Sequence, residues 1–320
     1  MEQTMSVQDS RIPTVAPARS ILIAVDGSPA SGRALAYVSK IAPAGARIAA
    51  VSVADNPRTL VPTTPLVDAE LEAARKELLQ DAHNAVAQAH EVFAGQDVIL
   101  ETAVIDLARE GGDIARALAS EANRRAADLL VVGARQHHGL LRWVEGTVSE
   151  PLAALARRPL LIVPEGYTAP IEHAPKRIVF PVDGSETSAK ALQYGSTLAA
   201  PDAQLRAVYV IDRAVRLTDF VPVHLLEDAF RDEGKAALAT AARILSSVTA
   251  QSSTAMIETG RTADDVAHAI VRDALHWQAD LVVMGTHGRR GIARWFVGSV
   301  AGRVARIAQT PLLLVPAALA

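Results

Sequence analysis

Short runs of apolar, β-branched residues alternate along this chain with longer segments in which apolar residues recur every three or four positions. The first run, Ser20 to Val25, is almost continuously apolar and is followed by a turn sequence, Asp26 to Pro29. Continuous apolarity predicts a strand that is buried on both faces, as in a parallel sheet. Ser28 before Pro29 is typical of a helix N-cap and first turn, so we expect a helix from about Ala30 to Ile41.

The first half continues in the same alternation. Apolar runs predict further strands at Arg47 to Ala54, Val98 to Val104, Asp128 to Val132 and Pro159 to Pro164. Helical spacing predicts a long helix that places Leu71, Leu78, Ala82, Ala85, Ala89 and Val92 on one face. We also predict a helix that begins after Gly111 to Asp113 and carries Ile114 and Leu118, and a short helix from Thr147 to Ala156. We predict a loop for Asp55 to Pro65, because it holds three prolines.

The second half repeats the first in the same order. Ile178 to Ser185 copies Ile21 to Ser28, and the Asp280–Gly285, Gly298–Ser299 and Pro311–Pro316 segments copy Asp128–Gly133, Gly146–Thr147 and Pro159–Pro164. The first pair is offset by 157 residues and the other three by 152. The repeat predicts a duplicated domain, with a flexible tail at 1–18, domains at 19–165 and 177–320, and a linker at 166–176.

Strands that alternate with helices predict the α/β class. We expect two repeated, doubly wound parallel-sheet domains with helices on both faces. In such sheets ligands bind beyond the carboxyl ends of the strands, where the strand order reverses. Asp26 and Asp183 end the first strands, and Gly133 and Gly285 end the fourth, so we expect each pair to lie side by side.

The most informative stretch is Gly285-Thr286-His287-Gly288, with Gly298-Ser299 further on. It follows an apolar run and precedes a helical pattern, which predicts a strand, a glycine loop and a helix N-terminus. Such a junction offers free backbone N–H groups and the positive end of a helix dipole to a phosphate. Glycine would permit close approach to an anion and a positive φ.

Three further features favour a nucleotide at this junction. Arg289, Arg290 and Arg294 follow the first glycines and are suited to phosphate charge. Asp183 can accept a hydrogen bond from an adenine amine, and the backbone near Val210 can pair with the edge of the base. Each feature has a plainer explanation, since Asp-Gly-Ser is a common turn and loop arginines are usually solvated. Their coincidence at matching positions favours nucleotide binding.

Composition narrows the function classes. The chain has 320 residues, a net charge of −3, 4% aromatic residues and no cysteine. These values argue against nucleic acid or an anionic membrane as a partner, and they exclude disulfides, thiolate metal sites and cysteine nucleophiles. No apolar run reaches the length of a membrane helix, and the N-terminus lacks the apolar core of a signal peptide. We expect a cytoplasmic protein.

The glycine pattern, with Val182-Asp183-Gly184-Ser185 upstream, resembles the universal stress protein family in its tandem-domain, ATP-binding form. The resemblance implies five parallel strands in the order 3-2-1-4-5 in each domain, and pairing of the two domains through their last strands. It implies ATP or a related adenine nucleotide, with Mg²⁺ or Mn²⁺ at the phosphates, and a role in stress survival. It leaves open whether the chain also forms a homodimer.

We expect two sets of nucleotide contacts. Those in the second half are Pro181, Val182, Asp183, Val210, Met284, Gly285, Thr286, His287, Gly288, Arg289, Gly298, Ser299, Val300 and Ala301. Those in the first half are Asp26, Val53, Gly133, Arg135, Gly146 and Thr147. Gln136 replaces the second glycine in the first half, and Glu145 adds a carboxylate, so we expect that site to bind weakly or not at all.

Other functions stay open. No P-loop, His-Glu-x-x-His or Gly-x-Ser-x-Gly motif occurs, which argues against a dedicated enzyme and leaves slow ATP hydrolysis as an alternative. A flavin or nicotinamide carrier is disfavoured because no Gly-x-Gly-x-x-Gly follows a strand. A partner-binding module without nucleotide is another alternative. His137, His138 and His287 are more simply polar loop residues than metal ligands, and we assign no metal ligand or catalytic residue.

Overall fold

The computed structural model describes residues 16–60, 68–134, 148–155, 157–213, 223–260, 264–288 and 298–317. The first half contains β1 (Ser20–Ala24), α1 (Pro29–Ile41), β2 (Ala46–Ala54), α2 (Pro57–Leu60), α3 (Asp68–Phe93), β3 (Val98–Asp106), α4 (Leu107–Glu110), α5 (Ile114–Arg124), β4 (Leu129–Ala134), α6 (Ser149–Leu155) and β5 (Leu160–Pro164). The second half contains β6 (Arg177–Pro181), α7 (Glu186–Ser196), β7 (Gln204–Ile211), α8 (Val223–Ser246), β8 (Ser252–Glu258), α9 (Val266–His276), β9 (Leu281–Gly285), α10 (Ser299–Ile307) and β10 (Leu312–Val315).

The strands form one ten-stranded sheet in the order β3-β2-β1-β4-β5-β10-β9-β6-β7-β8. Pairing is parallel within each half and antiparallel where β5 meets β10. Each half therefore has the strand order 3-2-1-4-5, which confirms the predicted α/β class and the two repeated parallel sheets. β5 ends at Pro164 and β6 begins at Arg177, so the segment predicted as a linker lies between them.

The central strands are apolar throughout because helices cover both faces of the sheet. Within β1, Ile21, Leu22 and Ile23 are at most 1% exposed, and their side chains alternate between two buried clusters. Phe180 of β6 is similarly buried, against the cluster that also contains residues of α1, α3, α7 and α8. None of the helices in the described ranges is both long and apolar enough to cross a membrane.

The sequence prediction missed two short helices. The segment predicted as a loop, Asp55 to Pro65, contains the one-turn helix α2, and α4 follows directly on β3. Proline fits the first turn of α2, and the Asn56 side chain accepts a hydrogen bond from the Arg58 backbone N–H at 3.0 Å. The loop was predicted from the proline content, but a proline at the first position and a side-chain cap allow one helical turn, α2, to form there.

The apolar stripe predicted for α3 is buried only in its second half. Ala82, Ala85 and Ala89 are at most 5% exposed, whereas Leu71 and Leu78 are only half-buried. Helical spacing identifies a face but not how far along the helix the sheet extends to cover it.

Two reciprocal hydrogen bonds join the halves in addition to the β5–β10 pairing. Tyr37 Oη in α1 donates to the Asp280 carbonyl at 3.3 Å, and Tyr194 Oη in α7 donates to the Asp128 carbonyl at 3.1 Å. Each of these aspartates uses its carboxylate within its own half. The Asp280 carboxylate accepts from the backbone N–H groups of Lys176 and Arg177 at the start of β6. The Asp128 carboxylate accepts in the same way from the two N–H groups at the start of β1. The internal pairing implied by the resemblance is therefore present.

These tyrosines predict a loss of stability at alkaline pH. Burial raises the pKa of Tyr37 and of Tyr194 well above the ordinary value near 10. The folded state thus favours the neutral phenols, and the stability they contribute below about pH 10 is lost as the pH rises further. Urea unfolding at about pH 8 and about pH 10.5 gives the free energy of unfolding at each pH. Its decrease on going to the higher pH should be smaller for a Tyr37→Phe/Tyr194→Phe chain than for the unaltered chain.

At the lower pH the double variant should be less stable by about 1 kcal/mol per hydrogen bond removed. Each single variant should have a free energy of unfolding between those of the unaltered and the doubly substituted chain. Equal losses of unfolding free energy on going to the higher pH, in the unaltered and doubly substituted chains, would contradict the assignment.

Candidate functional site

The carboxyl ends of β6, β7 and β9 and the N-terminus of α10 surround a cavity of about 500 Å³. It lies where β6 pairs with β9, which is the switch point at which Asp183 and Gly285 were expected to adjoin. The predicted residues that line it are Pro181, Val182, Asp183, Val210, Met284, Gly285, Thr286, His287, Gly288, Gly298, Ser299, Val300 and Ala301. Arg289, Arg290 and Arg294 lie outside the described residues.

The turn after β6 shapes one side of the cavity. Gly184 has a φ of +81°, a value that favours glycine. Asp183 Oδ1 then accepts from the backbone N–H of Ser185 at 3.0 Å and from its hydroxyl at 2.6 Å. Ser185 in turn caps α7 by accepting from the Ser188 N–H at 3.1 Å. The turn and the cap fix the Asp183 carboxylate at the edge of the cavity.

The loop after β9 lies in direct contact with that turn. A Cβ on Gly288 would lie 2.6 Å from Asp183 Oδ2, and one on Gly285 would lie 2.6 Å from Thr187 Cγ2. Neither glycine has a positive φ, nor does Gly298, whose φ is −55°. Of the two properties that glycine offers at these positions, close approach and a positive φ, the positive φ is therefore not used. Glycine is needed at 288 because the loop packs against the Asp183 side chain, and at 285 because the end of β9 packs against Thr187 in the first turn of α7.

Thr286 ties the two ends of the glycine loop together. Its N–H donates to the Val315 carbonyl at 2.9 Å, and its own carbonyl accepts from the Gly298 N–H at 2.7 Å. Its hydroxyl oxygen lies 2.9 Å from His287 Nδ1. His287 Nε2 is enclosed and has no hydrogen-bond partner in the described part of the chain. The buried residue Thr286 thus fixes both the end of β9 and the start of α10.

The N-terminus of α10 differs from those of α1, α5, α7 and α9. Those four helices are capped by the side chains of Ser28, Asp113, Ser185 and Asp265. Gly298 caps α10 and has no side chain to accept from the first turn. The N–H groups of Ser299, Val300 and Ala301 lack intrahelical acceptors, and these residues line the cavity. The positive end of the helix dipole thus faces the cavity, an arrangement suited to an anion.

Sequence reasoning missed several residues that line the same cavity. They are Ser188, Val208, Tyr209, Ile211, Asp212, Phe230, Val266 and Ile270. Those on β7 were detectable, because Val210 had already been placed at the end of that strand. Those on α8 and α9 follow no motif, since only the packing of helices on the sheet brings them to its carboxyl edge. No group of three or more His, Asp or Glu side chains suited to a metal ion occurs among the described residues.

The first half repeats the scaffold of the site. Asp26 Oδ1 accepts from the Ser28 N–H at 3.0 Å and from its hydroxyl at 2.5 Å, and Gly27 has a φ of +72°. A Cβ on Gly133 would lie 2.3 Å from the Ala30 carbonyl carbon, so this contact is tighter still.

Val53 lies half-buried near the end of β2, next to β1 in the sheet. The remaining first-half candidates, Arg135, Gly146 and Thr147, lie outside the described residues, as do Gln136 and Glu145.

The contact between Gly288 and Asp183 predicts a non-additive pair of substitutions. Gly288→Ala should lower the free energy of unfolding by about 1–3 kcal/mol, because its methyl group displaces the carboxylate. The same substitution in an Asp183→Ala chain should cost at least about 0.5 kcal/mol less, since the obstructing oxygen is gone. Urea unfolding of the four chains measures this difference.

Gly32→Ala is the matched control. It lies within α1, and a Cβ there meets nothing within 4 Å. It should be neutral or stabilising by up to about 1 kcal/mol. Strict additivity of the Gly288 and Asp183 substitutions would show that the contact does not govern the loop.

Comparison with known proteins identifies the family. The profile of the universal stress protein family matches residues 17–164 and again 175–316. A universal stress protein of Methanocaldococcus jannaschii is 34% identical over 151 residues, which cover 45% of this chain and 84% of that protein. One from Mycolicibacterium smegmatis is 27% identical over 309 residues, which cover 92% of this chain and 96% of that protein.

The same fold occurs in a crystal structure of a universal stress protein from Archaeoglobus fulgidus. That structure is 16% identical and aligns with a TM-score of 0.58, covering 92% of this chain and 95% of the other. The chain therefore belongs to the universal stress protein family and carries the family domain twice.

Proposed function

We propose that the second half binds an adenine nucleotide, with ATP as its ligand, and that the chain acts as a nucleotide-binding regulator of a stress response in the cytoplasm. The observation that carries the proposal is the uncapped N-terminus of α10, which opens into the cavity. Its first three N–H groups have no acceptor within the helix, and together with the helix dipole they are suited to phosphate oxygens. Family membership supports the regulatory role.

The size and lining of the cavity support a ligand larger than a free phosphate. Small-molecule sites typically have volumes of about 300–1,000 Å³, and this cavity has about 500 Å³. Asp183 at its edge is suited to accept from an exocyclic amine, and the backbone at Val210 is suited to the edge of a base. Val210, Met284 and Val300 supply apolar surface for the base itself. Together these features favour an adenine nucleotide over an inorganic anion.

A divalent cation is compatible with this site. Mg²⁺ usually keeps several waters and is held through the phosphates of its nucleotide with one or two carboxylates, so it needs no cage of side chains. Mg²⁺ or Mn²⁺ bound to the phosphates would reduce their charge beside Asp183 and Asp212, which both line the cavity.

We propose that the first half binds nucleotide weakly or not at all. A Cβ at 288 would meet Asp183, and the position equivalent to 288 in the first half is Gln136. A loop that followed the same path there would bring the Gln136 side chain against Asp26. Glu145 replaces Val297 in the sequence and adds a negative charge directly before Gly146, the counterpart of Gly298. Titration calorimetry should give one tight ATP site per chain, and two equal tight sites would contradict this asymmetry.

Substitution of Ser299 separates helix stability from phosphate binding. Ser299→Asp places a carboxylate at the start of α10, where it should leave the melting temperature unchanged or slightly raised. The same charge should repel phosphate and weaken ATP binding at least about tenfold, which corresponds to about 1.4 kcal/mol.

Ser299→Asn has nearly the same shape without the charge and should change affinity much less. Titration calorimetry and thermal unfolding with and without ATP provide both readouts. The proposal fails if ATP raises the melting temperature of neither the unaltered chain nor Ser299→Asn, or if Ser299→Asp binds ATP as well as Ser299→Asn does.

A further inference from the structure

The cavity is lined in part by two aromatic side chains that belong to no sequence motif. They are Tyr209, near the carboxyl end of β7, and Phe230, from α8. Aromatic residues make up only 4% of the chain, so two of them at one cavity merit a physical explanation. Tyr209 is 5% exposed and packed into the core, whereas Phe230 is half-buried and packs against the same core cluster.

The packing of Tyr209 fixes the position of α8. A Cβ on Gly234 would lie 2.7 Å from Tyr209 Cδ1 and 2.8 Å from the Met256 methyl, so the tyrosine ring rests directly on the helix. Glycine within a helix costs about 1 kcal/mol relative to alanine, and the close contact explains its presence. The helix is thereby held against β7 at this point.

The direction of α8 then places Phe230 at the cavity. In a strand-helix-strand unit the helix runs antiparallel to the strands, so α8 begins near the carboxyl ends, where the cavity lies. Phe230 is four residues before Gly234 and lies on the same face of the helix, one turn nearer that edge. On the opposite face of the sheet, Val266 and Ile270 of α9 line the cavity too. The carboxyl end of β7 thus lies between an aromatic and an aliphatic wall.

The first half has the same scaffold without this aromatic wall. A Cβ on Gly27 would lie 3.9 Å from Ala85 Cβ, and one on Gly184 would lie 3.5 Å from Ala237 Cβ, which aligns α3 with α8. By that alignment Leu78 corresponds to Phe230, and by the strand register Ser52 corresponds to Tyr209. The aromatic wall therefore distinguishes the second half beyond the glycine loop.

We infer that Phe230 is a specificity-determining residue, on which the flat base of the nucleotide stacks, supported from beneath by Tyr209. This inference rests on the proposed function. The phosphates bind at α10, and the base occupies the slot between α8 and α9 over the end of β7. The site then selects ligands with an aromatic base over phosphorylated compounds that lack one, and it does so in the second half alone.

Phe230→Leu tests the inference, because leucine is the residue that the first half carries at the equivalent position. Stacking of a base on an aromatic side chain is strong enough that Phe230→Leu should weaken ATP binding by about 5- to 10-fold. Binding of inorganic tripolyphosphate, which has no base, should stay unchanged. Phe230→Tyr keeps the ring and should restore ATP affinity to within about twofold of the unaltered chain. Titration calorimetry with ATP, and competition by tripolyphosphate, gives these values.

Phe93→Leu is the matched control for loss of a ring elsewhere. Phe93 is 4% exposed and ends α3 in the first half, so its replacement should leave ATP affinity unchanged. A Phe230→Trp chain adds a direct readout that does not depend on the leucine variant folding. Its added tryptophan fluorescence, measured against the unaltered chain, should be quenched by ATP and not by tripolyphosphate.

The outcomes separate the inference from the proposed function. If the unaltered chain binds ATP while Phe230→Leu binds it equally well, or loses ATP and tripolyphosphate to the same extent, Phe230 is not the base wall and only the inference fails. Absence of quenching in a Phe230→Trp chain that binds ATP has the same meaning. If the unaltered chain binds no ATP, the proposed function fails and the inference fails with it.

Discussion

The candidate site depends on the close packing of the loop after β9 against the turn after β6. Gly285 and Gly288 lie so near Thr187 and Asp183 that a methyl group at either would be 2.6 Å from a side-chain atom. This contact exists because the parallel pairing of β6 and β9 brings their carboxyl ends to the same edge of the sheet. Thr286 then links β9 to both β10 and the start of α10 through its N–H and carbonyl. A carboxylate and an open helix N-terminus are held on either side of one cavity as a result.

Duplication allows the chain to complete its own sheet. β5 and β10 would each be the edge strand of an isolated domain, with a row of unpaired backbone groups. Their antiparallel pairing joins ten strands into one sheet, and the Tyr37 and Tyr194 hydroxyls bind across the junction in a reciprocal manner. Each tyrosine binds the carbonyl of an aspartate whose carboxylate also holds the first residues of a strand. The hydrogen bonds across the junction are therefore connected to the sheet of both halves.

The two halves keep the same scaffold but differ where a ligand would lie. The Asp-Gly-Ser turn and its helix cap occur twice with nearly the same distances, since they stabilise the fold whether or not a ligand binds. By contrast, the glycine at 288 and the aromatic residues Tyr209 and Phe230 have no counterpart of the same type in the first half. Stability requirements are thus shared between the halves, while the residues that suit a nucleotide are concentrated in the second.

The sequence by itself determined the strands, the longer helices and their order. Continuous apolar runs such as Ile21 to Ile23 are buried strands, and the recurrence of Asp26 and Gly133 as Asp183 and Gly285 is enough to identify the duplication. These signals are local or repeated, so they can be read along the chain. Sequence also located the edge of the sheet at which thirteen predicted residues meet around the cavity. It overlooked α2 and α4, since single turns depend on individual capping bonds such as the one made by Asn56.

Only the tertiary structure decided why particular residues are needed and which distant ones join them. At Gly288 the sequence left open whether glycine serves a positive φ or close packing, and the structure shows close packing, because a Cβ there would meet the Asp183 carboxylate. Phe230, Val266 and Ile270 carry no motif, and their place at the cavity follows from how α8 and α9 pack on opposite faces of the sheet. Periodicity records which face of a helix is apolar. Its position along the sheet is set by contacts such as that of Tyr209 with Gly234, which join residues far apart in the chain.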